Sequence, residues 1–118
     1  MSKPEDIRER TFKFGLRIIT LCRELPKDDT NRIMAKQILR SGTSIGANLE
    51  EALGAHTRKE FTNCTNIAKK EARETIYWLK LISESNNNLI RHRMANLISE
   101  AEEIMKILTI SVKKLKNT

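Results

Sequence analysis

Arg40-Ser41-Gly42-Thr43-Ser44-Ile45-Gly46-Ala47-Asn48-Leu49-Glu50-Glu51-Ala52 carries two patterns at once. Ile45, Leu49 and Ala52 continue an apolar series begun by Met34, Ile38 and Gly42, at steps of three and four, which lines one face of an α-helix. Beside it Gln37, Ser41, Ser44, Asn48 and Glu51 recur at the same steps, giving an adjacent polar stripe. Gly42 and Gly46 each lower helix propensity by up to about 1 kcal/mol relative to Ala, so the helix either kinks there or uses the missing side chains for close contact. One continuous helix is expected. The polar stripe has two readings: a solvated face, or a hydrogen-bonded seam to a neighbouring helix or subunit in which Asn48 and Glu51 fix the geometry.

Upstream, Ile7, Thr11, Phe14, Ile18, Leu21 and Leu25 mark a first amphipathic helix. Pro4 suits its first turn, and Pro26 disfavours helical dihedrals at Leu25, ending it near Glu24. A loop over Pro26 to Thr30 follows, with Asp29 or Thr30 placed to cap the second helix and Gly54 to terminate it. Downstream, Thr57 with Glu60 forms a capping-box pattern, the clearest helix start in the chain. The third helix runs through Cys64, Ala68, Ala72, Thr75, Leu79 and Ile82 to a turn at Ser85-Asn86-Asn87-Asn88. A fourth carries Ile90, Met94, Leu97, Ala101, Ile104, Leu108 and Leu115, then a basic tail from Lys113 to Lys116. Short loops between long helices imply antiparallel neighbours, so the expected fold is an all-α, up-down-up-down four-helix bundle in a single domain over residues 1–118.

The third helix repeats the mixed character of the second. Glu71 and Glu74 share a face between Ile67 and Trp78, and such carboxylates need a cationic or amide partner, which Arg40, Arg73 or Asn48 could supply. Trp78 and Tyr77 read as core or interface anchors rather than base-stacking platforms. Arg40, Ser44, Asn48, Glu51, Glu71, Glu74 and Trp78 together form the expected structural and assembly network.

Two basic strips stand apart from it. Lys59, Lys70, Arg73 and Lys80, with Asn63, Asn66 and Tyr77, trace one line on the third helix; Arg10, Lys13 and Arg17 trace another on the first. The chain holds 22 Lys and Arg against 15 Asp and Glu, a formal charge of +7, which points to an anionic partner. These seven cations are the candidate nucleic-acid contacts, against the plainer reading of solvated faces. Aromatic residues make up only 4%, which argues against reading single-stranded RNA by stacking; salt-sensitive backbone binding remains compatible.

Catalytic patterns are missing. A carboxylate-bridged di-metal bundle needs Glu three residues before a His, yet Leu53 and Leu89 precede His56 and His92 at that spacing. Helical RNases that place four to six residues between an Arg and a following His would need an Arg at positions 49–51 or 85–87, and there is none. No phosphate-binding glycine loop or serine-nucleophile motif occurs. Cys22 and Cys64 form no Cys-x-x-Cys pair and are expected as buried free thiols in a reducing compartment. No catalytic residue, metal or cofactor is therefore expected. Met1 to Arg10 lacks the apolar run of a signal peptide, and no apolar stretch approaches the roughly 18 to 20 residues that span a bilayer, so a cytoplasmic chain without membrane attachment is expected.

Over nearly its whole length the chain resembles the four-helix bundle family first known as 23S rRNA intervening-sequence proteins. The resemblance rests on Arg40-Ser41 with Ser44 to Ala52, on Arg58-Lys59-Glu60-Phe61, and on Lys70 to Thr75 with Tyr77-Trp78-Leu79. Glu60 departs from it, an Asp being the commoner residue there. The resemblance implies a ring-like homopentamer. The same fold resembles the accessory protein of diversity-generating retroelements, a basic pentameric barrel that binds a reverse transcriptase and nucleic acid. By that analogy the basic strips face RNA, DNA or an RNA-protein complex. The expectation is a non-enzymatic oligomer that binds nucleic acid; the alternative is a protein-protein scaffold with no nucleic-acid role, and an RNA-processing enzyme ranks third.

Overall fold

The computed structural model of the chain describes residues 6–117. Four helices follow one another: α1 (Ile7–Glu24), α2 (Asp29–Leu53), α3 (Arg58–Ser85) and α4 (Asn88–Lys116), with no strand among the described residues. Each begins at a side-chain cap that accepts a backbone N–H otherwise left without a partner. Asp6 accepts from Arg8 at 2.9 Å, Asp28 from Asn31 at 2.8 Å, Thr57 from Glu60 at 3.0 Å and Asn87 from Ile90 at 3.1 Å.

Several boundaries differ from the sequence reading. Pro4 lies outside the described residues, and Asp6 caps α1. The cap of α2 is Asp28, not Asp29 or Thr30: Pro26 forces Leu25 to extended dihedrals, and Asp28 N–H turns back to the Pro26 carbonyl at 3.1 Å, so the first helical residue is already Asp29. The last turn shrinks to Asn86 and Asn87 because Asn88 opens α4. On α4 the buried stripe continues through Val112, while Leu115 is only half-buried.

Cross-helix pairs show that successive helices run in opposite directions. Arg8 near the start of α1 meets Glu50 near the end of α2, and Cys22 near the end of α1 donates to the Ala35 carbonyl early in α2. Asn31 and Asn86 exchange amide hydrogen bonds, each 3.1 Å, between the start of α2 and the end of α3. Glu84 pairs with Arg91 across the final turn. The bundle closes where Arg10 meets Glu100 and Glu24 meets Arg93 between α1 and α4, its thinnest seam.

The core is the sum of the four apolar stripes. Phe14, Ile18, Ile38, Ile45, Leu79, Ile82, Met94, Ile104 and Leu108 are essentially fully buried, each large aliphatic or aromatic side chain contributing about 1.5 to 3 kcal/mol by leaving water. Ala68, Ala72 and Ala101 keep α3 and α4 close. α2 is continuous through Gly42 and Gly46, and its glycines serve close contact: a Cβ at Gly42 would lie 2.9 Å from Cγ1 of Ile18, and one at Gly46 3.4 Å from the Thr11 hydroxyl oxygen. Among the described residues no buried side-chain polar atom lacks a partner.

Candidate nucleic-acid interface

α2 and α3 pack along the polar stripe described above, and the seam holds an ion cluster. Arg40 donates to Glu71 at 3.0 Å and also to Glu74, whose same carboxylate oxygen accepts the Trp78 indole N–H at 3.0 Å. Glu74 titrates below the ordinary carboxylate range, first because of the Trp78 hydrogen bond and then because of Arg40, with partial burial opposing both. Deeper in the seam the Ser41 and Thr75 hydroxyls lie 2.9 Å apart, and Thr75 donates to the Glu71 carbonyl at 2.7 Å.

The rest of the polar stripe behaves differently. Ser44 donates to the Arg40 carbonyl at 2.6 Å and Asn48 to the Ser44 carbonyl at 2.8 Å, so both bond within their own helix. Glu51 is exposed, and its side chain makes no hydrogen bond or ion pair among the described residues. The seam therefore brings together Arg40, Glu71, Glu74 and Trp78, with Ser44 and Asn48 alongside and Glu51 apart.

On α1, Arg10 grips Glu100 of α4 through two parallel hydrogen bonds, Nε at 2.7 Å and Nη2 at 2.8 Å, the bidentate geometry that suits a guanidinium. Those bonds come first in holding Glu100 below the ordinary carboxylate range, with the Arg10 and Arg17 charges adding to them. Lys13 lies 3.7 Å from Glu9. Arg17 lines an apolar groove between α1 and α4 together with Leu21, Ile90 and Met94.

α3 presents its cations otherwise. Lys59, Lys70, Arg73 and Lys80 are all exposed, and none forms an ion pair among the described residues. They share the face opposite the buried residues Ala68, Thr75 and Leu79, with Tyr77 between them at 57% exposure. Because α3 and α4 are antiparallel, the start of this strip adjoins the end of α4. A recess there is lined mainly by cations and amides, Arg58, Lys59, Asn63, Asn66 and Lys116, with one carboxylate, Glu60. Lys116 thus joins the strip, which no spacing within α3 could show.

His56 and His92 are both exposed, and Cys22 and Cys64 are free and half-buried rather than buried. Burial pushes the Cys22 thiol up from its ordinary value, against a lowering from Lys27. Among the described residues no three His, Cys, Asp or Glu side chains are placed to hold a metal, and no helix is long and apolar enough to cross a membrane.

No curated protein matches this chain significantly. A solved structure does: a protein of unknown function from the S23 ribosomal protein family of Bacteroides thetaiotaomicron, 39% identical over 92% of this chain and 99% of that one, with a TM-score of 0.80. The family described as 23S rRNA-intervening sequence protein matches residues 4–110. With that span covering most of its length, the chain belongs to the 23S rRNA-intervening sequence protein family.

Proposed function

We propose that this chain is a non-enzymatic, self-associating helical bundle that binds nucleic acid, as RNA or an RNA-protein complex, through the outer face of α3. One observation carries the reading: Lys59, Lys70, Arg73 and Lys80 lie exposed on a single helix face with no ion pair to neutralise them. Cations held this way release condensed counterions when they meet phosphates, the main source of affinity in such complexes. The family description, which refers to a 23S rRNA intervening sequence, supports an RNA partner. A cytoplasmic location fits the same reading. Retention of RNA and DNA against increasing salt is the test, with log affinity expected to fall at a slope of about −3 to −4 against log salt for roughly four phosphate contacts. No retention even at low ionic strength overturns it.

Self-association, as a ring-like homopentamer, is part of the same proposal. Phe12 and Leu16 stand 68% and 50% exposed on α1, while Ile33, Ile67 and Leu81 are exposed on α2 and α3. Exposed apolar side chains on different helices of one chain suit head-to-tail contacts, which close into a ring when the rotation between copies closes. Light scattering tests this: a monomer at micromolar concentration overturns it, and Trp78→Ala or Glu71→Ala is expected to weaken the assembly. A scaffold role is favoured by one observation, the apolar groove between α1 and α4. Co-purification of a protein partner that survives nuclease treatment would support that second reading.

A further inference from the structure

We infer that the α3 strip recognises double-stranded RNA by its shape, spanning a minor groove with the backbone gripped on both sides and the 2′-hydroxyls met in between. This rests on the nucleic-acid reading above and narrows it.

The cations are grouped rather than evenly spread. Lys59 stands with Lys116 at one end of the strip, and Lys70 stands with Arg73 near its middle. At 1.5 Å of rise per residue, Lys59 and Lys70 are about 16 Å apart along the axis, with Lys80 about 15 Å further on. The first interval contains Asn63 and Asn66, whose side chains make no hydrogen bond among the described residues, and which border the recess with Lys116. A carboxamide both donates and accepts, as does a 2′-hydroxyl. Cation, amide, cation is the order in which phosphate, sugar edge and phosphate occur across the wide, shallow minor groove of an A-form duplex.

Other nucleic acids fit this face less well. Single strands are held by stacking on exposed aromatic rings in a groove, whereas this face is a convex helix. Its one exposed ring, Tyr77, packs edge-on against Trp78 at 5.2 Å between centroids. Glu74 holds the Trp78 indole in turn. The B-form major groove, about 12 Å wide, admits a helix that protrudes. α3 is flanked by α2 and α4 in a bundle 20 Å across its thinnest dimension, so only its outer surface is offered. Glu60, which also borders the recess, turns back to accept the His56 backbone N–H at 2.9 Å.

The test uses the full chain with an RNA duplex of roughly 16 to 20 base pairs, the DNA duplex of the same sequence, and the separate RNA strands. The RNA duplex is expected to bind about tenfold more tightly than either alternative, the preference that a few hydrogen bonds to 2′-hydroxyls supply. Asn63→Ala with Asn66→Ala is expected to bring the RNA duplex down to the DNA level without changing the salt slope. Lys70→Glu with Arg73→Glu is expected to weaken both duplexes alike. Equal affinity for RNA and DNA duplexes, tighter binding of single strands, or indifference to the asparagine changes overturns the inference and leaves the broader proposal standing. Absence of binding to every probe at low salt overturns both.

Discussion

α1 and α3 each carry a line of cations at helical spacing, Arg10, Lys13 and Arg17 on one and Lys59, Lys70, Arg73 and Lys80 on the other. In the folded chain the first line lies beside carboxylates. Arg10 closes the thinnest seam of the bundle by clamping Glu100, Arg17 adds its charge to that site, and Lys13 approaches Glu9. The second line stays free on the outer face. The same residue types at the same periodicity therefore do different work, and the difference lies in whether a carboxylate stands across from them. α4 presents Glu100 toward α1, whereas among the described residues no carboxylate pairs with Lys59, Lys70, Arg73 or Lys80.

The comparison is broken most directly by charge reversal. Lys70→Glu with Arg73→Glu is expected to lower nucleic-acid retention by more than about tenfold at low salt, while stability by urea titration changes by less than about 0.5 kcal/mol, as for surface positions generally. Loss of folding with loss of binding would show that the strip is structural after all.

The reverse outcome is expected for Arg10→Gln. It leaves Glu100, whose side chain is 22% exposed, without its bidentate partner. Removing one member of a fully buried pair costs about 3 to 5 kcal/mol, and partial exposure reduces this to about 1 to 2 kcal/mol. Nucleic-acid retention is expected to stay nearly unchanged. A large loss of retention with unchanged stability would return Arg10 to the interface.

Acid sharpens the same contrast. Glu100 and Glu74 both titrate below the ordinary carboxylate range in the folded chain. Their stabilising contribution is therefore complete above the unfolded value, about pH 4.3, and is lost as pH falls through the lower folded values. Urea titrations from pH 6 to pH 3 should show the loss, with a smaller fall in the Arg10→Gln variant because Glu100 no longer has that partner. An identical pH dependence in both would remove Glu100 from the account.

A smaller effect is expected at Gly42. Alanine there gains up to about 1 kcal/mol of helix propensity but places a Cβ against the branched Ile18 side chain. Overpacking costs about 1 to 3 kcal/mol, so Gly42→Ala should destabilise the chain slightly and move α1 outward. The smallest change is expected for Lys13→Ala, under about 0.5 kcal/mol for an exposed pair at 3.7 Å.

What the amino-acid order reveals here divides along physical lines. Helical periodicity is local, so the four helices and nearly all core positions, from Phe14 to Leu108, could be read directly. Caps were less legible, because Asp28, Asp29 and Thr30 are all competent and the choice depends on how Pro26 orients the chain before them. Val112 and Leu115 both continue the stripe at helical spacing, and only the fold shows that Val112 is the buried one. The clamp between Arg10 and Glu100 spans 90 positions and leaves no local trace, so Arg10 looked the same as Lys70. The seam of Arg40, Glu71, Glu74 and Trp78 was visible as a need for partners, but not which polar neighbours would join. Ser44 and Asn48 satisfy themselves one turn back, an option open to small polar side chains in any helix.

The indole of Trp78 donates to the carboxylate that Arg40 also holds, and the chain contains one tryptophan. The protein consequently has an intrinsic optical gauge at the join between α2 and α3. Its emission reads out protonation of Glu74, displacement of Arg40, or burial beneath a neighbouring subunit, without any label being attached.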